Sequence, residues 1–591
     1  MKPMNRRAFL RVAGLSLLTP YVLTHVQDMV AAQTSSNALL NERWFAVNPA
    51  QEPERVFSLS VASGDPSPSG VVLWTRVSPE VWSGDRPLVF EVAQDDQFQQ
   101  IVAGGLINSA DFGPERDYTV LIDLDGILGS NQVYYYRFIY NETASRTGRC
   151  RTLPAADEDI EQVRFAVLTC QDYTNGYYGA FAHLAQEDID FVIHLGDFIY
   201  ESAADPRFQP LPFPDRAVVL PSGEQVAFDL NDYRSLYRTY RSDVFLQAAL
   251  EQHTWIIIWD DHETANDCYW DEERDTLGAP DHPFTTDPQF GNDPARLNQL
   301  KFDAQRAWAE YVPARVRINE NATHPQDYLQ IYRQFAFGSL VELFMTDERT
   351  YRSAHPCGEG DVGERYASTG CEAQADPART MLGQTQRDWL ITGMKDSQAL
   401  WKAWGNEVFQ AAFKLGPIDD TTIYFNLDAW DGYEQERVLI ARELRDADVR
   451  NLVVLTGDLH SYIVSYLKVD YSKWWNFGRS NMVGVEFMTP SVTSANFKDI
   501  IENAVTHTSP EEQALQEVGT DSLIEDLVRL TNPHIKFFNS EYWGYATVEF
   551  NRSYCEYTAY DIDKSQNSAD VAKRELRRLR VPINRVVIED A

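Results

Sequence analysis

The pattern of hydrophobic and polar positions divides the chain into two parts. Between residues 56 and 153, short apolar or alternating runs are separated by turn residues such as Asp65-Pro66; the runs are VVLWTRV, LVFEVAQ, YTVLIDL and VYYYRFIY. Short strands at this spacing predict an antiparallel β-sandwich of immunoglobulin or fibronectin type. A polar, acidic segment over 154–161 is predicted to be a linker.

Beyond the linker, near-continuous apolar runs alternate with amphipathic stretches. Continuous apolar runs predict strands covered on both faces, here at 163–169, 191–195, 255–259, 340–346 and 452–456. Helices are predicted between them, over 231–252, 294–311, 384–395 and 434–447. This alternation predicts an α/β domain over 162–562. Ligands of such folds bind beyond the carboxyl ends of the strands, so the residues that follow each run are candidate site residues.

The amino-terminal segment has the pattern of an export signal. Arg6-Arg7 precedes an apolar run over 12–23 and small residues at 30–32. This order predicts a twin-arginine signal over 1–32, followed by an extension over 33–55; an ordinary secretory signal or a membrane anchor are the alternatives. The prediction implies contact with the twin-arginine export machinery and a periplasmic or secreted location. No later apolar stretch in the sequence is long enough to span a bilayer.

The carboxy-terminal segment, 563–591, is basic. It contains the sequence VAKRELRRLR, which is predicted to form a helix. Such a helix could dock on an acidic surface of the protein, or it could be a positively charged cover over an anion-binding site.

Composition and charge limit the classes of partner. The 591 residues include 88 Asp and Glu against 52 Lys and Arg, which gives a net charge of -36. The resulting field repels nucleic acids and anionic lipid unless a local basic patch intervenes. Of the six cysteines, Cys357 and Cys371 form the predicted disulfide, although sequence does not fix the connectivity.

Residues that can ligate metals follow most of the predicted strands. They are Cys170, then Asp197 and Tyr200, then Asp260-Asp261-His262-Glu263, then Asp347, and finally Asp458 and His460. Alone, each is more often a cap, an ion-pair partner or a core residue. Together they predict a metal site at one edge of the sheet. Ferric iron binds thiolate, carboxylate, phenolate and imidazole, so a four-residue iron set is expected from Cys170, Asp197, Tyr200 and His460.

The motifs around these residues resemble a known family. Gly-Asp-x-x-Tyr at 196–200 resembles the signature of purple acid phosphatases. The wider chain resembles the PhoD family of exported alkaline phosphatases, through SVASGDPSPSGVVLWTRV at 60–77 and then GDFIYE, WIIIWDDHE, WDGYEQER, TGDLHS and EFMTPSVTS in order. The resemblance covers about residues 56–550. It implies a metallophosphatase core of αββα type after the amino-terminal β-sandwich.

The resemblance also implies how the metals are held. Asp197 would bridge the iron to one or two calcium ions, which Asp261, Asp458 and either Asp260 or Asn406 would bind. Asp261 and Asp458 replace neutral ligands of the general metallophosphatase pattern, and carboxylates favour Ca²⁺ over Zn²⁺. Asn406 could equally be a turn residue or a cap.

The resemblance implies catalytic roles for two side chains. By resemblance, His262 hydrogen-bonds a phosphate oxygen or protonates the leaving group, and Glu263 orients it; a purely supporting role for His262 is the alternative. Arg349 and Arg352 follow Asp347, and we expect them to pair with nearby carboxylates rather than with phosphate.

These expectations lead to three hypotheses of function. The first is an exported, monomeric phosphatase that releases phosphate from small-molecule phosphate monoesters, using Fe³⁺ and Ca²⁺ to activate water. The second is a phosphodiesterase, including phospholipase D activity, on the same metals. The third is a non-catalytic surface protein stabilised by calcium.

Overall fold

The computed structural model of the chain describes residues 42–205, 209, 212–415, 422–499 and 520–591. The predicted export signal, 1–32, and the first part of the predicted extension, 33–41, lie outside these residues. Within the described ranges, no helix combines the length and apolar character needed to cross a bilayer.

Eight strands form the amino-terminal region. They are β1 (Val61–Ser67), β2 (Gly70–Arg76), β3 (Leu88–Ala93), β4 (Ile101–Ile107), β5 (Thr119–Asp123), β6 (Val133–Tyr140), β7 (Thr143–Ala144) and β8 (Gly148–Arg151). Strands β3, β4, β6, β7 and β8 form one sheet, whereas β1, β2 and β5 belong to another. Side chains of both, such as Leu73 and Phe90, share one buried cluster. The region is therefore a two-layered β-structure, and its immunoglobulin or fibronectin topology stays a prediction.

The later strands and the helices complete the chain. The strands are β9 (Gln162–Leu168), β10 (Phe191–Leu195), β11 (Thr254–Ile258), β12 (Tyr269–Asp271), β13 (Thr276–Gly278), β14 (Arg317–Ile318), β15 (Leu329–Gln330), β16 (Arg333–Phe337), β17 (Val341–Met345), β18 (Tyr366–Ser368), β19 (Trp401–Asn406), β20 (Lys414–Leu415), β21 (Ile423–Asn426), β22 (Leu452–Thr456), β23 (Tyr462–Lys468), β24 (Met482–Met488), β25 (Ile535–Asn539), β26 (Gly544–Asn551), β27 (Tyr554–Ile562), β28 (Lys573–Pro582) and β29 (Glu589–Asp590). The α-helices are α1 (Pro53–Val56), α2 (Gly179–Leu184), α3 (Leu230–Arg241), α4 (Val244–Gln252), α5 (Pro283–Thr286), α6 (Pro294–Tyr311), α7 (Pro325–Tyr328), α8 (Gly383–Asp396), α9 (Glu434–Asp446) and α10 (Thr520–Thr531).

Two large sheets organise the second part of the chain. One has ten strands in the order β29-β28-β27-β26-β9-β10-β11-β1-β2-β5, and the other has seven in the order β16-β17-β19-β22-β24-β23-β25. Along the seven-stranded sheet, Leu343 and Leu455 join a cluster shared with the ten-stranded sheet. The alternate residues Phe344 and Val454 join a second cluster with side chains of α8 and α9. Because alternate residues of a strand face opposite sides, one face of this sheet packs on the other sheet and one face on helices. The two sheets and the helices on this face are three of the four layers of the expected αββα core, which stays a prediction as a whole.

The amino-terminal strands β1, β2 and β5 continue the ten-stranded sheet. Strand β1 pairs in parallel with β11, with Ser63 opposite Thr254. The predicted boundary at 154–161 is thus crossed by backbone hydrogen bonds. The two regions share a sheet, which sequence periodicity could not show, since VASGDPS in β1 has no clear alternation.

The predicted elements of the core agree with the structure within two residues, with one exception. The predicted helix over 231–252 is interrupted between α3 and α4, where the Asp243 carboxylate caps α4 by accepting from the backbone N–H of Phe245 at 2.9 Å.

The predicted carboxy-terminal helix is wrong. Residues 573–582 form strand β28, which is hydrogen-bonded to β27 on one side and to β29 on the other. Leu579 and Val581 point into the buried cluster at alternate positions, so the strand period prevails over the helical propensity of Arg, Lys and Leu. These arginines therefore lie near the edge of a sheet and form neither a docked helix nor a helical cover. The predicted disulfide between Cys357 and Cys371 is present.

Candidate active site

Parallel strands bring the candidate residues together at the carboxyl ends of the strands. Strands β9, β10 and β11 are parallel neighbours, as are β19, β22 and β24, so the residues after them meet at the carboxyl ends of the strands. At Gly196, φ is +99° and an added Cβ would lie 2.4 Å from the Asp260 backbone nitrogen. Glycine is required there because the turn after β10 approaches the turn after β11 closely.

Four candidate ligands have left-handed backbone conformations. The φ angles are 55° at Cys170, 57° at Asp197, 68° at Asp458 and 51° at His460. Residues with a Cβ rarely adopt this region, and each such conformation costs about 1–3 kcal/mol. Strained residues of this kind concentrate at functional sites, where the surrounding fold holds a side chain in a required direction.

The structure brings the four residues of the predicted iron set together. One donor atom each from Cys170, Asp197 and His460 lies within 4.8 Å of the others. The Tyr200 hydroxyl is 3.0 Å from Asp197 Oδ2 and 3.4 Å from His460 Nε2. All four residues are buried. Thiol, carboxylate, phenol and imidazole thus converge on a small volume, although they come from three separate parts of the sequence.

Neighbouring groups orient this set. His460 Nδ1 contacts the Ala495 carbonyl oxygen, which directs Nε2 towards Tyr200. Ser494 Oγ lies 2.7 Å from the Tyr200 hydroxyl. Burial lowers the pKa of His460 to about 4, so its imidazole is neutral, as a metal ligand must be.

The raised pKa values of Tyr200 and Cys170 are those expected of ligands that lose their protons only to a cation of high charge. Burial, and then the Asp197 carboxylate, raise the pKa of the Tyr200 phenol far above its usual range. Burial, and then Asp197, do the same for the Cys170 thiol. Acidic groups that are buried beside one another in this way stay protonated until a bound metal ion displaces their protons. The donors are also those that ferric iron binds well.

A second set of carboxylates adjoins the first. Oxygen atoms of Asp260, Asp261 and Asp458 lie within 4.8 Å of one another, and Asp197, Asp261 and His262 form a further group of this size. Burial raises the pKa of Asp260 to about 7, and burial together with Asp260 raises that of Asp458 well above its usual range. A site made of carboxylate oxygens suits Ca²⁺.

Arg349 is the counter-charge of these acids. Its buried guanidinium contacts Asp260 and donates to Asp428 at 2.7 Å and to Asp458 at 2.9 Å. Arg352 likewise contacts Asp428. The prediction that these arginines pair with carboxylates is confirmed. Sequence reasoning missed Asp428, which follows the short strand β21 in an irregular segment without a metal-ligand motif.

Asn406 ends strand β19. Its amide oxygen accepts from Trp430 Nε1 at 2.8 Å, and its amide nitrogen contacts the Val408 carbonyl oxygen. These contacts fit the turn role that the sequence also allowed, and the binding of calcium by Asn406 stays a prediction. Asp347 is similar, since its Oδ1 accepts from Trp259 and from the Thr350 backbone.

His262 is oriented by a different carboxylate from the one expected. Its Nδ1 lies 2.7 Å from Glu201 Oε2, and its ring stacks on Tyr200 with 4.0 Å between centroids. Burial opposes the charged imidazole, but Glu201 and the neighbouring aspartates outweigh it and raise the pKa of His262 well above its usual range. A protonated imidazole beside the metal-ligand sets is suited to donate a proton.

Glu263 supports the backbone of the site. Its carboxylate accepts from the backbone N–H groups of Asp197, Phe198 and Asp260 at 2.7–3.0 Å. It ties the turn after β10 to the turn after β11, so the role of orienting His262 is corrected from Glu263 to Glu201. Glu201 ends the GDFIYE motif, which was the signal in the sequence that could have identified it.

The carboxy-terminal segment contributes one lysine next to a residue pair that borders the iron set. Lys564 Nζ lies 2.6 Å from the Thr493 carbonyl oxygen and 4.0 Å from the centre of the Trp543 ring. Thr493 precedes Ser494, which contacts Tyr200. Burial lowers the pKa of Lys564 to about 8.

The chain matches known proteins over most of its length. The family profile "PhoD-like phosphatase" matches residues 165–559, and "PhoD-like phosphatase, N-terminal domain" matches residues 44–154. The chain is similar to "Alkaline phosphatase D" of Bacillus subtilis (strain 168), with 32% identity over 552 residues that cover 92% of this chain and 81% of the relative. A solved structure described as "Structure of PhoD" superimposes with a TM-score of 0.73 at 28% identity, covering 92% of this chain and 93% of the other.

Proposed function

The chain belongs to the PhoD-like phosphatase family and is a phosphoric ester hydrolase, and we propose that it is an exported alkaline phosphatase that acts on phosphate monoesters. We further propose a centre of one ferric ion and one or two calcium ions. Family membership excludes the hypothesis of a non-catalytic surface protein.

One observation carries the proposal of a metal centre. Cys170, Asp197, Tyr200 and His460 converge within contact distance, next to the carboxylates of Asp260, Asp261 and Asp458. We assign iron to the first set and calcium to the second, with Asp197 shared between them. When bound, these ions would supply positive charge to phosphoryl oxygens and lower the pKa of a water nucleophile.

The side chains around the metal sets provide the remaining chemistry. His262 lies between Tyr200 and Glu201, and we assign it the donation of a proton to the leaving oxygen. Glu201 is a positioning residue that keeps the Nδ1 proton in place, so that Nε2 serves the substrate. Arg349 balances the charge of Asp260, Asp428 and Asp458 and thereby limits their mutual repulsion.

Removal of metal ions should abolish the activity. Because the proposed ligands form the site itself, dialysis against a chelator is expected to lower the rate of p-nitrophenyl phosphate hydrolysis by at least about 100-fold. Iron and calcium added together should restore the rate, and either ion alone should restore less. The measurement combines initial rates with elemental analysis of each preparation.

The same preparations test the substrate class. The restored enzyme should hydrolyse p-nitrophenyl phosphate faster than bis-p-nitrophenyl phosphate. Full activity in protein shown to lack metals would refute the metal centre, whereas a faster rate on the diester would refute only the monoesterase assignment.

A further inference from the structure

The Cys357–Cys371 disulfide closes a segment, residues 357–371, that places one arginine inside the protein. Most of this segment is exposed or half-buried, whereas Arg365 is buried, with 1% of its surface accessible. A buried guanidinium is stable only when its donors meet carboxylates or other acceptors. The partners of Arg365 therefore show what the disulfide-closed segment holds in place.

Three aspartates surround the Arg365 guanidinium. It donates to the two oxygens of Asp281 at 2.8 and 3.0 Å and to Asp361 at 2.5 Å, and it contacts Asp267 Oδ2. Asp361 lies on the segment itself. Asp267 and Asp281 lie in the part of the chain that follows β11, the strand that also leads to Asp261. Arg365 thus ties the disulfide-closed segment to the chain after β11.

Asp267 transmits this constraint to Asp261. Its backbone N–H donates to Asp261 Oδ2 at 2.6 Å, and its φ of 53° is a left-handed conformation that persists only when the surrounding structure holds it. Its carboxylate is held by Arg365 and accepts from the Tyr366 hydroxyl at 2.5 Å. The other oxygen of Asp261, Oδ1, lies 3.6 Å from Arg349 Nη2, the counter-charge of the second set of carboxylates.

Asp281 connects Arg365 to His262. Asp281 Oδ2 accepts from Asn266 Nδ2 at 2.6 Å, and the Asn266 backbone N–H donates to Glu201 Oε1 at 2.8 Å. The other carboxylate oxygen of Glu201 lies 2.7 Å from His262 Nδ1. A continuous chain of polar contacts therefore runs from the disulfide-closed segment to the imidazole.

The backbone of the segment reaches the same region from another direction. Strand β18, within the segment, pairs with β21, and the Leu427 N–H donates to the Arg365 carbonyl oxygen at 2.7 Å. The next residue, Asp428, accepts from Arg349 at 2.7 Å. The side chain and the backbone of Arg365 thus meet the second set of carboxylates through different neighbours.

We propose that Arg365 is a positioning residue that sets the direction of Asp261 and His262, and that the disulfide keeps Arg365 in place. Arg365 acts through Asp267 and Asp281 and not on the substrate itself. The inference rests on the proposed function, since it assigns calcium binding to Asp261 and proton donation to His262. Residues that orient metal ligands in this way typically contribute about 10–100-fold to metal affinity or activity.

The disulfide matters because the segment has a permissive backbone. Gly358 and Gly363, which precede Arg365, have φ angles of 116° and 92°. Glycine enters this region readily, so an open segment would sample many conformations. The disulfide removes much of that freedom by joining the two ends. Without it, Arg365 should meet Asp267 and Asp281 in a smaller fraction of molecules.

Arg365→Lys tests the positioning role. Lysine keeps the positive charge but lacks the planar fork, so it cannot hold two carboxylates in fixed directions. Calcium ions titrated into calcium-depleted protein and followed by calorimetry should bind about 10–100-fold more weakly than to the parent protein. The ratio of alkyl to aryl phosphate rates should also fall, because His262 would be less well aligned with the leaving oxygen.

Arg315→Lys is the matched control. Arg315 makes an equivalent fork, donating to both oxygens of Asp123 at 2.7 Å on β5, the last strand of the ten-stranded sheet. Both variants should lose thermal stability, whereas only Arg365→Lys should lose calcium affinity and change the rate ratio. An unchanged calcium affinity in Arg365→Lys would refute the role towards Asp261, and an unchanged rate ratio would refute the role towards His262.

Two further results complete the test. The double change Cys357→Ser and Cys371→Ser should shift both quantities in the same direction but by less, because Arg365 and the pairing of β18 with β21 remain. This variant keeps the test decisive if Arg365→Lys does not fold, and parent-like calcium affinity in the folded double variant would refute the role of the disulfide. A parent protein that binds no calcium would refute the proposed calcium set together with the role towards Asp261, while the rate ratio would still decide the role towards His262.

Discussion

Replacement of Asp197 by asparagine is expected to remove bound metal and to lower kcat/KM by at least about 1,000-fold. Asp197 belongs to two of the three groups of potential ligands among the described residues, one with Cys170 and His460 and the other with Asp261 and His262. Its Oδ2 also accepts from Tyr200, and its Oδ1 from the His262 backbone. Asparagine keeps the shape but removes the charge that two cations would share. Elemental analysis and steady-state kinetics on one preparation measure both effects.

Asp190→Asn is the matched control for this change. Asp190 precedes the same strand, β10, at its opposite end, where it accepts from Arg151 at 2.5 Å and from the Arg164 backbone at 2.9 Å. The control should lower thermal stability while metal content and rate per folded molecule stay unchanged. If Asp197→Asn retained iron and calcium at the level of the control, Asp197 would not be the shared ligand.

The second large effect is expected at His262. His262→Ala should lower kcat by about 10²–10⁴-fold for alkyl phosphates, because the leaving alkoxide then receives no proton. The loss should be smaller for p-nitrophenyl phosphate, since nitrophenolate leaves without protonation. Glu201→Gln should lower kcat by about 10–100-fold, because Glu201 holds His262 through Nδ1 and does not touch the substrate.

The dependence of the rate on the leaving group shows whether His262 donates a proton or only supports the structure of the site. His183→Ala is the matched control, because His183 lies on α2 and contacts the Val571 carbonyl oxygen through its ring. This variant should keep the wild-type ratio of alkyl to aryl rates. An equal loss for both esters in His262→Ala would show that His262 only supports the site.

The core strands and the iron set could be predicted because continuous apolar runs mark the strands clearly in the sequence. The runs at 191–195 and 452–456 coincide with β10 and β22, because a strand buried on both faces is apolar at every position. Asp197, Tyr200 and His460 follow these runs within five residues, and the parallel order of the strands determines that they meet at one edge.

The contacts that sequence reasoning missed depend on tertiary geometry. Glu201 and Glu263 both lie within four residues of a ligand, and only the directions of two turns decide that Glu201 meets His262. Asp428 reaches Arg349 from an irregular segment, where no periodicity places a side chain. In β28, leucine and arginine suit either a helix or an edge strand, and pairing with β27 decides the outcome.

The absorption spectrum of the purified protein tests the central claim most directly. Ferric iron bound by the Tyr200 phenolate should give a visible charge-transfer band, which Tyr200→Phe should abolish together with most of the activity. Tyr237→Phe is the matched control, because this tyrosine is buried nearby and its hydroxyl has no hydrogen-bond partner among the described residues. The account predicts a coloured wild type, a coloured Tyr237→Phe and a colourless Tyr200→Phe. A Tyr200→Phe variant that kept the band, or an iron-loaded wild type without one, would contradict it.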